Sequence, residues 1–302
     1  MNLCTLGCAV LLIVSPFVAV ADDLEDAFNS LKEAESKKDA ASVKKLAVEA
    51  YAVARQVASE PAPSDAALKE AWTKRMDFAR DVETYAEYAL FATAIQAPPA
   101  TTVDLLSALE QQNPKSKYLN EAYGRYFQAL NQTGAASKIP AIAEKAIAHL
   151  PENVDLLLVL TEASRQQIGR AGAYAERLLV ALSKSKKPEG VAQADWDRRQ
   201  SAARTRAHFL AGIAHSERKE WFQADTDLRA ALPYLKGDEQ SLAAALFHLG
   251  LVNYQIGRLT LNKARVLEAA RFSDQAAQIK SPFAEQAWRN GGVMRAEAAK
   301  MR

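Results

Sequence analysis

The chain has 302 residues, of which 49% are hydrophobic, and its formal net charge is +2 at pH 7. This length can bury a sizeable core as one or two domains, or as an elongated array of helices. The two cysteines, Cys4 and Cys8, both lie near the N-terminus, which excludes disulfides, thiolate metal sites and cysteine nucleophiles from the rest of the chain.

The N-terminal segment predicts a secretory signal peptide over residues 1–21. No charged side chain precedes Asp22, an apolar run covers residues 8–14, and small residues at Ala19 and Ala21 suit cleavage after Ala21. We therefore expect a periplasmic or secreted protein. The segment has no Lys or Arg, so an uncleaved N-terminal anchor is the alternative, and only in that case do we expect contact with a membrane.

The composition predicts an all-α protein, because good helix formers dominate and alternating β-branched runs are scarce. Asp22 and Glu25 form a capping pair that predicts a first helix to about residue 36, followed by a second over residues 40–58. Prolines then interrupt the pattern, and Ser64 is the predicted cap of a helix that runs to residue 96, in one piece or broken once.

The Ala97-Pro98-Pro99-Ala100 segment is the predicted boundary between an N-terminal helical region, residues 22–97, and a repeat array, residues 98–302. The connections after it are short, as helix pairs in a stacked array require. About thirteen helices, hence six or seven pairs, favour a solenoid. The helices predicted beyond the boundary cover residues 103–112, 118–131, 140–150, 154–168, 171–182, 191–218, 221–235, 241–256, 261–279 and 283–299.

The segment from His208 to Leu232 has the spacing of one helix-turn-helix packing unit. Gly212 lies in its first helix, and the second helix presents large and small residues on one face, namely Trp221, Ala224, Leu228 and Ala231. Leu246, Leu249 and Gly250 recreate the first-helix pattern further along the chain, with Gly250 in the place of Gly212 and Asn253 where a tyrosine is expected.

This spacing of small and large residues resembles that of the tetratricopeptide repeat, whose unit is about 34 residues long. The resemblance covers residues 113–302. It implies a right-handed superhelix of antiparallel helix pairs whose concave face holds an extended segment or a helix of another protein. Members of this family bind partners and seldom catalyse, so the resemblance implies a non-enzymatic scaffold or adaptor of the bacterial cell envelope.

The densest cationic group comprises four arginines, and it is the candidate partner-binding cluster: Arg198, Arg199, Arg204 and Arg206. Their spacing places Arg199 and Arg206 on one helix face. An ordinary solvated face and a surface for an acidic protein or a lipid headgroup are both open readings. Nucleic acid is not expected, since stacking aromatics and tighter clustering are missing.

Nothing in the sequence indicates a metal, a cofactor or a small-molecule substrate. His208 and His215 do not have the three- or four-residue spacing of two imidazoles that share a metal on a helix, so we assign them structural roles. The large aromatic side chains are predicted to fill the spaces between helices. They are Trp72, Trp196, Trp221, Trp288, Tyr118, Tyr123, Tyr126 and Phe127.

Glu35-Ser36 resembles the catalytic dipeptide of the lytic transglycosylases, helical exported enzymes that cleave peptidoglycan. Such a glutamate needs a hydrophobic cleft that raises its pKa, whereas Glu35 stands in a charged run that we expect to be solvated. The glycine-rich motifs of that family are missing. A peptidoglycan-cleaving enzyme is therefore the alternative to the scaffold, and a carrier of a small apolar ligand, which needs an enclosed cavity, is the third hypothesis.

Overall fold

A computed structural model describes residues 16–188 and 190–301, with the backbone alone for residues 16–22. Within these ranges it contains thirteen α-helices, two short 3₁₀ turns and no strand, which confirms the all-α prediction. The chain divides into two compact units, residues 1–136 and 137–302. Most of the predicted signal peptide lies outside the described residues, and the first helix begins at Pro16, ahead of the predicted start at Asp22.

The first unit is built from five helices that pack on their neighbours in the chain. The predicted boundary at residues 97–100 lies inside this unit, because α4 packs on both α2 and α3 and the Thr102 hydroxyl donates to the Ala94 carbonyl at 2.9 Å. The third helix, for which a break was one alternative, is continuous. The helices are α1 Pro16–Ser36, α2 Ala40–Ala58, α3 Ala66–Gln96, α4 Pro99–Gln112 and α5 Lys117–Gln132.

The second unit contains eight described α-helices. The predicted helices over 140–150 and 154–168 end early, at Ala146 and Ala163, and the next helix begins at Ile168 rather than Ala171. The helices are α6 Ile139–Ala146, α7 Val154–Ala163, α8 Ile168–Lys184, α9 Gln193–Glu217, α10 Trp221–Ala231, α11 Glu239–Leu259, α12 Lys263–Ala277 and α13 Ala284–Lys300, with a 3₁₀ turn, Leu232–Tyr234, after α10.

The N-terminus of α3 is capped by Asp65, and the prediction of Ser64 as its cap was wrong. The Asp65 carboxylate accepts from the backbone N–H of Ala67 at 2.9 Å. Both residue types favour caps, so the choice between neighbours depends on which one takes the extended backbone conformation next to the first helical turn. The same role belongs to Asp39 at α2 and to Asn262 at α12.

Three helix–helix turns have the same backbone form. Lys38, Lys219 and Leu261 each stand immediately past a helix C-cap with a positive φ, of 56°, 63° and 54°. In each turn the next residue is the N-cap of the following helix, and its N–H bonds back to the end of the preceding helix, as Asn262 does to the Gly257 carbonyl at 2.7 Å. This closes the end of one helix and starts the next within a very short connection.

These turns set the register of the two hairpins in the second unit. Lys219 and Leu261 occupy the same place in their turns. Any residue of α9–α10 is therefore equivalent to the residue of α11–α12 that follows it in the chain by the distance from Lys219 to Leu261. The shorter spacing from Gly212 to Gly250 therefore does not align equivalent positions. Counted from the turns, Tyr254 is the position equivalent to Gly212. The number of residues between equivalent positions of the two hairpins is therefore larger than the tetratricopeptide unit of about 34 residues.

Helices in the second unit approach closely where a side chain is missing. A Cβ added to Gly172 of α8 would lie 2.2 Å from the Ala214 Cβ of α9, and one added to Gly257 of α11 would lie 2.7 Å from the Val266 side chain of α12. Both distances are shorter than any real contact between carbon atoms. The helix spacing therefore depends on glycine at these positions.

The aromatic residues divide between the core and the surface. Tyr123, Tyr126 and Phe127 are buried, as predicted, and Trp221 packs partly buried on Ala224 and its neighbours. Trp288 is 67% exposed, so its assignment to the core was wrong. It lies on α13, the last described helix, and no later helix among the described residues covers its outer face.

We expect Gly172→Ala to reduce the free energy of unfolding by about 1–3 kcal/mol, because the added methyl group overlaps Ala214 and forces α8 away from α9. Urea unfolding followed by circular dichroism measures the change. The matched control is Gly169→Ala on the same helix, where a Cβ meets no atom within 4 Å. Its stability should be unchanged or slightly higher, and equal losses in the two variants would contradict the packing argument.

Candidate functional site

The second unit has an open apolar groove between the end of α10, the start of α11 and the end of α12. Its volume is about 610 Å³. We call it the α10–α12 groove. Four aliphatic side chains form its floor, one of which, Leu246, belongs to a core cluster with Ala276 and Ala287. The lining residues are Arg229, Leu232, Pro233, Lys236, Leu242, Leu246, Gln275, Gln278 and Ile279.

The rim of the α10–α12 groove is cationic. Arg229 and Lys236 are the charged residues of the lining, which includes no carboxylate. Arg229 pairs with Glu268 at 2.9 Å and stands over the Phe272 ring at 5.2 Å. In the part of the chain that the structure describes, no ion pair involves Lys236, so its charge is available to an anionic group.

A polar network behind the groove holds Arg229 in place. Asp225 accepts from Arg229 Nε at 2.7 Å, from Asn253 Nδ2 at 2.8 Å and from Arg265 Nη1 at 2.9 Å. Burial alone would raise the pKa of the Asp225 carboxyl, but the hydrogen bonds from Arg265, Arg229 and Asn253 together lower it. The network therefore stays ionised and ties α10, α11 and α12 together.

Asn253 was the residue that departed from the tyrosine of the repeat pattern, and the structure shows what it does. Its side chain is fully buried and bonds Asp225 of α10 and the Leu249 carbonyl of its own helix. A buried amide needs such partners. The only sign of this network in the sequence was a polar residue, Asn253, at a position where the repeat pattern has a packing residue. That sign did not identify Asp225 as its partner.

The four arginines of the predicted cluster do not form one free cationic patch. Arg198 pairs with Asp195 on its own helix, Arg204 donates to the Leu182 carbonyl at 2.9 Å, and Arg206 lies 3.6 Å from Glu162 of α7. Arg198, Arg199 and Arg206 are exposed, while Arg204 is partly buried. Most of the cluster is thus engaged in contacts within the second unit.

The histidines of α9 share a carboxylate. His208 Nδ1 lies 2.9 Å from Asp227 Oδ1, and His215 Nε2 lies 3.3 Å from Asp227 Oδ2. His215 also contacts Glu220, which accepts from Arg218 Nε at 3.0 Å. Among the described residues, no group of three or more His, Cys, Asp and Glu side chains is arranged to hold a metal ion.

Glu35 is partly buried, so the expectation of a fully solvated side chain was wrong. It accepts a hydrogen bond from the Tyr85 hydroxyl and lines a pocket of about 440 Å³ in the first unit, beside Tyr88. Burial, together with the bond to Glu35, raises the pKa of Tyr85. The ring of Tyr88 is 6.1 Å from that of Tyr85 and 5.9 Å from that of Tyr118, which makes a partly exposed aromatic surface.

Comparisons of the chain with models of protein families, with curated proteins and with solved structures gave no match. None of the described helices has the length and apolar character that crossing a bilayer requires. Function must therefore be inferred from the residues of the grooves and surfaces themselves.

The pH dependence of stability should report the burial of His248. Burial lowers the pKa of this imidazole from 6.5 to about 4, and Ser216 is its hydrogen-bonding partner at 3.0 Å. Well above pH 6.5, His248 is neutral in both the folded and unfolded states. As the pH falls through the range between these two pKa values, only the unfolded state binds the proton, so the free energy of unfolding falls, by about 3 kcal/mol in total.

Carboxylates also titrate in part of this range, so the measurement is the difference between the wild type and His248→Gln. Urea unfolding at intervals from about pH 8 to about pH 4.5 should show a shallower decline for the variant, which has no imidazole to protonate. Parallel curves for the two proteins would contradict the assignment.

Proposed function

We propose that this chain is a tetratricopeptide-like α-solenoid that serves as a non-enzymatic scaffold or adaptor. The support is the repetition of one hairpin turn, with a similar positive φ and the same closing hydrogen bond, at α9–α10 and α11–α12. Repeated packing units of this kind are typical of right-handed superhelices of helix pairs. The departure from the family pattern is the separation of equivalent positions, which is longer than the family's unit of about 34 residues.

The observation that carries the binding proposal is the α10–α12 groove. Its aliphatic floor can take the apolar side chains of a partner segment. Lys236 on its rim can take a carboxylate, whereas Arg229 is already paired with Asp225 and Glu268. The occupant is therefore a short segment of another protein that carries leucine-like residues next to an acidic one. The groove is open rather than enclosed, which favours a peptide over a small apolar cargo.

The proposed setting is the periplasm or the extracellular space. It rests on the signal-like sequence of residues 1–21, with cleavage after Ala21. If residues 1–21 are retained, they would anchor the scaffold at the membrane.

Lys236→Glu should abolish the selection of acidic, leucine-containing peptides from a displayed peptide library by the purified full-length chain. The reason is that the substitution replaces the unpaired cation of the rim with a carboxylate, which repels the same group in the peptide. For individual synthetic peptides from the selection, fluorescence anisotropy should show an affinity at least tenfold weaker.

The matched control is Lys186→Glu, which changes the net charge equally at an exposed lysine outside the groove lining. It should bind the selected peptides like the wild type. If no peptide family is enriched, or if both variants lose binding equally, the groove is not the partner site. Thermal unfolding of both variants checks that the fold is retained.

A second candidate function is favoured by one observation, the partly buried position of Glu35 in an aromatic-lined pocket. A glutamate that acts as the acid in peptidoglycan cleavage needs such surroundings. Lys38 also lines this pocket, and an ammonium group nearby opposes protonation of the carboxylate.

Under the scaffold proposal, the wild type and Glu35→Gln should both release no soluble fragments from purified peptidoglycan, as measured by chromatography of the reaction supernatant. A known muramidase provides the positive control. Release by the wild type that is lost in Glu35→Gln would overturn the scaffold proposal in favour of the enzyme.

A further inference from the structure

The turn between α11 and α12 exposes apolar side chains in a way that folding does not explain. Leu261 is 82% exposed and has a φ of 54°, and Leu259 is 67% exposed. A leucine in the left-handed region is sterically unfavourable, and an exposed one is solvated unfavourably. The equivalent positions of the two other turns, Lys38 and Lys219, carry lysine, which avoids exposing an apolar side chain to water.

The neighbouring turn adds to the same apolar edge. Phe222, the second residue of α10, is 58% exposed. Trp221 beside it packs on Val252 and Ile256 of α11, which places the start of α10 next to the end of α11. The two turns therefore lie at the same end of the second unit, and we call the exposed residues beside them, Phe222, Leu259 and Leu261, the turn edge.

Cations slightly outnumber carboxylates around the turn edge. Arg258 is paired with Glu297 at 3.2 Å, and Arg218 is bonded to both Glu220 and Glu176. The exposed lysines at positions 219, 263 and 300 remain, against one further carboxylate, Glu217. Lys263 donates to the Met301 carbonyl, which leaves its positive charge in place.

We propose that the turn edge inserts into the interface of an anionic phospholipid bilayer. The apolar residues stand in or beside short turns and are 58–82% exposed, which suits insertion into a deformable interface better than docking into a preformed protein pocket. Leucine and phenylalanine enter the boundary between headgroups and acyl chains, while the lysines meet the lipid phosphates. This contact needs no membrane-spanning segment and is independent of the α10–α12 groove.

The test is co-sedimentation of purified residues 22–302, the chain left by the proposed cleavage, with vesicles of phosphatidylethanolamine and phosphatidylglycerol in a ratio of about 3:2, at low salt. The wild type should bind these vesicles, and binding should weaken in pure phosphatidylcholine or at high salt. The double variant Leu259→Gln/Leu261→Asn should bind at least tenfold more weakly. Asparagine accepts a positive φ, so this variant should fold at least as well as the wild type.

The matched control is Val180→Gln, which removes an apolar side chain that is 54% exposed on α8, near the opposite end of that helix from the α9–α10 turn. It should bind vesicles within twofold of the wild type. The fluorescence that Leu261→Trp adds to that of the four native tryptophans, measured as the difference from the wild type, should be quenched by lipids brominated on the upper acyl chain. No binding of the wild type, unchanged binding of the double variant, or an unquenched tryptophan would each overturn the proposal.

Discussion

Close contact between helix backbones is the constraint on which the second unit depends. At Gly172 and Gly257 the facing helix occupies the space in which any side chain would lie. Both cysteines of the chain are at its N-terminus, so the described residues are held by packing and polar contacts without disulfides. Glycine also spaces α11 and α12 nearer the α10–α12 groove, because a Cβ added to Gly250 would lie 2.5 Å from the Ser273 hydroxyl oxygen. A change at these crossings alters the groove without touching its lining.

The helices could be predicted from the sequence because periodicity, prolines and caps act over a few residues. The ends of α2 and the start of α7 agree with the prediction to the residue. The errors arose where two local solutions compete. Ser64 and Asp65 are both good caps, and the repeat register was drawn from Gly212 and Gly250, which face different partners in the structure. Only the turns, through their positive φ, show which positions are equivalent.

The candidate site could not be predicted in the same way, because its residues come from separate helices. Arg229, Lys236, Leu242 and Ile279 carry no shared motif, and their convergence depends on the crossing of α10, α11 and α12. The arginine cluster was visible as a local excess of charge, but its partners Glu162 and the Leu182 carbonyl lie on other helices. A charge pattern along one helix does not reveal which charges the fold will neutralise.

The repeated turns also bear on how the second unit folds and opens. Most of its packing joins helices that are consecutive in the chain, as in α8–α9, α9–α10, α11–α12 and α12–α13. Such local topology costs little loop-closure entropy and is typical of fast folding. It also allows the hairpins to open one at a time, starting from α13. The α11–α12 hairpin is closed by a leucine in a strained conformation. A surface that binds this turn and holds it in place would therefore also stabilise α12 and α13.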